Sequence, residues 1–248
     1  MRVIRVQYQE STFYASLLEN EVRPLQNQEV LPQSIPLQEV QILPLVMPTK
    51  VVCVGLNYHA HAQELGMEVP EEPLLFLKPP SAVIGTGQNI IYPGMSQKVH
   101  YEAELAVVIG KNGKNITPER AGEHIFGFCC ANDVTARDLQ NKDVQYTRAK
   151  GFDTFCPLGP WIETSVSDDL NLDISTYVNS ELKQSGNTAD MVSGPYELIS
   201  YISKIMSLWP GDVILTGTPP GVGELNVGDE VQVRIEDLGV LSNPVVAG

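Results

Sequence analysis

The sequence predicts an α+β fold on a large mixed or antiparallel sheet, and three observations carry that reading. Strand-like runs outnumber helical ones, and no regular strand–helix–strand rhythm appears, which argues against a doubly wound sheet. The chain has 248 residues, 43% apolar and 19% charged, so it can bury a sizeable core and is a poor candidate for disorder.

The elements follow in order. Val3, Ile4, Val6 and Tyr8, then the run 13–18, read as a small hairpin within residues 1–20. Pro24, Pro32, Pro36, Pro44 and Pro48 cannot continue a helix or a central strand, so 24–48 reads as a connector with short extended pieces. A division follows: residues 1–48 as a small N-terminal region and connector, 49–248 as the main domain. Residues 51–54 form an apolar run stopped by Gly55, a buried strand. Asn57 is placed to cap a short helix through Leu65, with Gly66 as its stop.

A second short strand is expected at 74–77, and the Gly- and Pro-rich stretch 79–97 reads as loops. Residues 101–110, YEAELAVVIG, give the clearest strand signal. Alternation puts Glu102, Glu104 and Ala106 on one face and Ala103, Leu105, Val107 and Ile109 on the other. The following KNGK reads as a hairpin turn, Thr117-Pro118 as a helix start, and 125–131 as another strand ending at Asn132-Asp133. Residues 196–208 fit an amphipathic helix with Leu198, Ile199, Ile202, Ile205 and Met206 on one side. Two last strands are read at 213–215 and 231–235.

Charge and cysteines exclude several functions. Sixteen basic against 30 acidic side chains leave a net charge of −14, unsuited to nucleic acid or to an anionic membrane surface. No stretch is apolar enough to span a bilayer, and the N-terminus lacks a secretory apolar region, so the expected location is cytoplasmic. Cys53, Cys129, Cys130 and Cys156 form no CxxC pair and read as reduced, mostly buried thiols. The glycine-rich segments lack both the dinucleotide fingerprint and the GK[ST] of a phosphate loop, and no GxSxG serine elbow occurs. Trp161 and Trp209 read as core or dimer-interface residues.

The chemistry concentrates in acidic residues. Glu102 and Glu104 share a face of a strand that is otherwise apolar, and a buried strand should not carry two unpaired anions. Two unit charges about 4 Å apart repel by about 4 kcal/mol at an effective dielectric near 20. A divalent cation relieves that repulsion, and oxygen ligands favour a hard ion, Mg2+ or Mn2+ before Ca2+. A third carboxylate is the natural complement: Asp133, at the end of the 125–131 strand, takes that place, with Asp138 as the competing candidate that otherwise reads as a helix-start charge or a partner for Arg137. Upstream, His61 and Glu64 stand three residues apart on the expected short helix, where the carboxylate can orient the imidazole. His59 points elsewhere.

Five strings, VGLNYHAHAQELG (54–66), YEAELAVVIG (101–110), NDVTARDLQ (132–140), AKGFDTFCPLGPWI (149–162) and GDVILTGTPPGVG (211–223), resemble the fumarylacetoacetate hydrolase family in order and spacing over roughly residues 50–248. The resemblance is to its acylpyruvase and 2-hydroxyhepta-2,4-diene-1,7-dioate isomerase branch. It implies a β-rich mixed-sheet roll with short helices, dimeric as a rule. It implies Glu102, Glu104 and Asp133 as ligands to Mg2+ or Mn2+, and His61 with Glu64 as a catalytic dyad on a lid-like segment. Lys150 matches a lysine that stabilises negative charge near the metal. Arg137, Gln140 and Thr218 match substrate-binding positions, and Leu56 stands where some members have Arg.

The implied substrate is a short 2-oxo acid or 1,3-dicarbonyl, and the implied cofactor Mg2+ or Mn2+. C–C bond hydrolysis of an acylpyruvate comes first. Oxaloacetate decarboxylation and isomerase or tautomerase action on the same site come second. A metal-stabilised binding protein is the non-enzymatic alternative; the His61–Glu64 pair and Lys150 argue against it, since holding an ion needs neither.

Overall fold

The structure is a computed structural model that describes residues 1–25, 31–167 and 169–248. The part of the predicted connector at 26–30 lies outside the described residues.

The predicted N-terminal hairpin forms from Arg2–Tyr8 and Ser11–Leu18, paired antiparallel with Val3 opposite Ser16. It does not stand apart. Arg2–Tyr8 also pairs with Cys156–Glu163, and through it joins a large mixed sheet. The order there runs Cys156–Glu163, Ile125–Asn132, Ala103–Ile109, Val213–Leu215, Val51–Gly55, Leu74–Lys78. Val213–Leu215 and Val51–Gly55 are parallel, while the other pairs in this run are antiparallel. A five-stranded sheet (Glu181–Asn187, Asp173–Val178, Glu230–Ile235, Gly239–Ala247, Ile90–Tyr92) and a three-stranded one (Thr135–Ala136, Val99–Tyr101, Gly223–Leu225) complete the strand framework among the described residues. The α+β class and β-rich mixed-sheet character expected from the sequence hold.

Ala103–Ile109 lies inside the large sheet with every residue buried, as its apolar texture requires. Its two faces feed two cores. Leu105, Val107 and Ile109 pack with Leu198, Ile199 and Ile202 of the helix Pro195–Ile205. Ala106 and Val108 pack with Val3, Ile4 and Val6 of the N-terminal strand. Strand alternation therefore assigns the glutamate face correctly.

Four local expectations change. The 101–110 strand is interrupted: Val99–Tyr101 belongs to the three-stranded sheet, Ala103–Ile109 to the large one, and Glu102 sits at the junction. KNGK is not a tight hairpin. Residues 110–124 include helical turns at Pro118–Ala121 and Gly122–His124, and Gly113 bridges to Leu208, which draws the loop onto the long helix. Asn57 does not cap the helix His59–Glu64; its side chain instead ties Ser193 to the carbonyl of Thr216. The long helix ends at Ile205, which is exposed, because Met206 leaves helical geometry. All four cysteines are buried and free, as expected, whereas Trp209 is half exposed and outside the core.

Candidate active site

Antiparallel register builds the acidic centre. Ala103 lies opposite Asn132 and Glu104 opposite Ala131, so the chain leaving the neighbouring strand carries Asp133 alongside Glu102. The Asp133 amide donates to the Glu102 carbonyl at 2.9 Å, and the Asn132 side chain accepts from the Glu102 amide at 3.0 Å. Glu102, Glu104 and Asp133 are all buried and offer carboxylate oxygens within 4.8 Å of one another. Asp138, the rival for third place, is elsewhere: it accepts from Ser96 Oγ and the Gln97 amide.

The three carboxylates differ sharply in surroundings. Glu102 is gripped by Arg137 and by Lys150 (Nζ to Oε2, 2.8 Å). Burial pushes its carboxyl up, but these two cations outweigh burial and hold it well below the usual range. Asp133 meets Lys150 through Oδ2 at 2.6 Å and Lys78 through Oδ1. Glu104 forms no ion pair among the described residues; it accepts from the Gly217 amide at 2.6 Å. Burial, then the charges of Asp133 and Glu102, raise its carboxyl well above the ordinary value.

That asymmetry fits a dication. Oxygen donors suit a hard ion, and a buried carboxylate with two anionic neighbours and no cation of its own is the group such an ion would relieve.

Around this centre is a cavity of about 330 Å³. His61, Glu102, Glu104, Asp133, Arg137, Gln140, Lys150 and Thr218, eight of the nine predicted site residues, line it. The ninth, Glu64, stands behind His61, with Oε2 3.0 Å from Nδ1. A carboxylate at Nδ1 favours the tautomer with Nδ1–H, leaving Nε2 as the acceptor. Glu64 also accepts from the Gly221 amide (3.0 and 3.2 Å), which fastens the short helix to the C-terminal loop. Gly66, in the left-handed region at φ 65°, ends the segment as expected, and His59 is exposed. Arg137 also donates to Gln140 Oε1, and Thr218 Oγ1 accepts from Gln184 at 2.7 Å. Leu56 lines the cavity on a left-handed backbone, φ 54°.

Sequence reasoning missed several participants. Lys78 is fully buried beneath Asp133, one residue beyond the strand read at 74–77. Alternation puts Lys78 on the same face as Phe76, but only the structure shows that Phe76 lines the cavity. Tyr146 and Met67 also line it, and Gln184 holds Thr218; no local pattern marks them.

Comparison with known proteins accords with this geometry. Residues 50–246 match the family described as Fumarylacetoacetate (FAA) hydrolase C-terminal. The chain belongs to the fumarylacetoacetate hydrolase family. Among its relatives is the mitochondrial oxaloacetate tautomerase FAHD2B of Bos taurus, 51% identical over 86% of this chain and 71% of the relative. A solved structure of 5-carboxymethyl-2-hydroxymuconate delta-isomerase from Mycobacterium smegmatis matches 100% of this chain and 99% of that one, with TM-score 0.91 and 42% identity. Maleylpyruvate hydrolase from Sphingobium sp. SYK-6, solved with manganese (II) ion and pyruvate, matches 100% of both chains, with TM-score 0.83 and 30% identity. The family thus includes hydrolases, isomerases and tautomerases. No helix among the described residues is long and apolar enough to cross a membrane.

Proposed function

We propose that the protein is a Mg2+- or Mn2+-dependent enzyme that relocates a proton beside the 2-oxo group of a short 2-oxo acid, with keto–enol interconversion of an oxaloacetate-like substrate as the leading reaction. One observation carries the reading: His61, backed by Glu64, and the three buried carboxylates open on the same small cavity, which Lys150 also lines. The 51% identity to an oxaloacetate tautomerase supports proton relocation over the hydrolysis ranked first from sequence.

Glu102, Glu104 and Asp133 would hold the ion. When bound, it would supply Lewis-acid stabilisation of negative charge on the 2-oxo oxygen. Arg137 has an N–H on each terminal nitrogen beyond those given to Glu102 and Gln140, and these anchor a substrate carboxylate. His61 Nε2 takes the proton from the carbon next to the 2-oxo group, and Glu64 stabilises the resulting imidazolium. The C–H electron pair becomes the carbon–carbon double bond as the carbonyl pair moves onto oxygen. Lys150 places a positive charge near that oxygen, to which the His61 imidazolium returns the proton, completing the enol and restoring the neutral imidazole. Thr218, held by Gln184, forms part of the cavity wall.

C–C hydrolysis of an acylpyruvate is the second reading, supported by the manganese- and pyruvate-bound maleylpyruvate hydrolase. There His61 would take its proton from water, and the hydroxide would attack the carbonyl distal to the pyruvyl group. Buried free cysteines support a reducing compartment, hence the cytoplasm, and the family resemblance supports a homodimer.

The test is a side-by-side panel of oxaloacetate keto–enol exchange, acylpyruvate cleavage and oxaloacetate decarboxylation with Mg2+ or Mn2+. Enol exchange fastest, lost with Glu102→Ala and reduced about 100-fold or more with His61→Ala, is the expected result. Cleavage exceeding exchange would move hydrolysis to first place. No turnover on any of the three would favour a binding protein.

A further inference from the structure

Lys78 is a buried charged group beside the acidic centre that the proposed chemistry leaves without a role. It ends the strand Leu74–Lys78, opposite Val51, and its side chain is fully enclosed. Burying an ammonium is costly unless acceptors meet it, and here Asp133 Oδ1 and the Val134 carbonyl (3.0 Å) do so. Lys78 does not line the cavity, whereas Asp133 and Lys150 do. The two lysines therefore hold Asp133 from opposite sides. Lys78 takes Oδ1 from behind, and Lys150 takes Oδ2 from the cavity while also holding Glu102.

We propose that Lys78 is a positioning residue for the metal centre: by occupying Asp133 Oδ1 it leaves Oδ2, which Lys150 shares from the cavity side, as the one oxygen presented to the ion. With Oδ1 released, the carboxylate can rotate about its Lys150 contact or chelate through both oxygens, and the three-carboxylate geometry is then lost. Partners behind metal ligands that orient them are worth about 10–100-fold in metal affinity. The proposal rests on the reading of Glu102, Glu104 and Asp133 as metal ligands.

Charge and positioning predict opposite signs. Removing a cation beside the site would, through charge alone, tighten binding of a dication. Loss of positioning weakens it. Mn2+ titrations followed by electron paramagnetic resonance on the wild-type protein, Lys78→Met, Asp133→Asn and the double variant separate the two.

The expected result is about a 10–100-fold rise in the Mn2+ Kd of Lys78→Met, and no further rise when Lys78→Met is added to Asp133→Asn. Unchanged or tighter binding by Lys78→Met overturns the proposal, as does a further loss of similar size in the Asp133→Asn background. Should Lys78→Met not fold, the double variant removes both members of the Lys78–Asp133 pair and strands neither charge. Its Mn2+ Kd equal to that of Asp133→Asn supports the proposal, and a further tenfold loss overturns it. A wild-type protein that binds no Mn2+ would overturn the metal reading and this proposal together, a result distinct from normal binding unaffected by Lys78→Met.

Discussion

Glu104 is buried with a backbone amide for a partner and two carboxylates for neighbours. Burial and those neighbours raise its carboxyl, while Lys150 and Arg137 keep Glu102 ionised. Without an ion, Glu104 therefore holds a proton more readily than Glu102 does, and a dication must displace any proton held there. The sign follows: Mn2+ affinity rises with pH as long as Glu104 is protonated, by up to about tenfold per pH unit for one released proton, and levels off above its raised pKa. Binding isotherms from about pH 5 to pH 9 should show that slope, and Glu104→Gln should flatten it. A flat profile in the wild-type protein would mean Glu104 is already ionised before the ion arrives. At this scale the sequence was informative about chemistry. Two glutamates with apolar neighbours signalled an uncompensated charge, and the His61–Glu64 spacing produced a 3.0 Å contact. Lys78 escaped because one lysine at the end of an apolar run looks like a solvated strand terminus until Asp133 is seen above it.

Two elements meet at the site, the short helix His59–Glu64 and the loop after Val213–Leu215. Gly217 donates to Glu104, Gly221 donates to Glu64, and Asn57 bonds the Thr216 carbonyl, so the loop is tied at once to the acidic centre and to the helix. Gly217 has no room for a side chain. Its φ is 93°, and an added Cβ would lie 2.8 Å from Asn57 Cβ and 3.3 Å from the Val54 carbonyl. Gly217→Ala should destabilise the fold by about 1–3 kcal/mol and weaken Mn2+ binding, read by thermal melting and by metal titration. Normal values of both would show that the loop relaxes without disturbing Glu104. The helix itself was legible from Gly66 and the His–Glu spacing. The role of Asn57 was not, since Asn before a helix is an equally good cap and only the packed loop reveals its other partners.

At the scale of the whole molecule, the ion links a buried centre to global stability. Glu102 and Asp133 are paired with Arg137, Lys150 and Lys78, while Glu104 has no cation of its own among the described residues, so the apo centre is left with one uncompensated carboxyl. An ion bound by the folded chain and not by the unfolded one adds about 2.7 kcal/mol at a hundredfold excess over its Kd. For a chain of this size that corresponds to a rise in Tm of about 5–10 °C, reversed by a chelator. A melt insensitive to Mn2+ and to EDTA would contradict the metal reading. By itself, the sequence determined the β-rich α+β class, the faces of the Glu104 strand and the residue types of the site, because side-chain alternation and short-range spacing are local properties of the chain. Only the tertiary structure turned Asp138 away onto Ser96 and Gln97, broke the predicted strand at Glu102 and brought Lys78 beneath the acidic centre. Those outcomes depend on which distant strand becomes a neighbour and in what register, and that is settled by how two cores pack against opposite faces of one sheet.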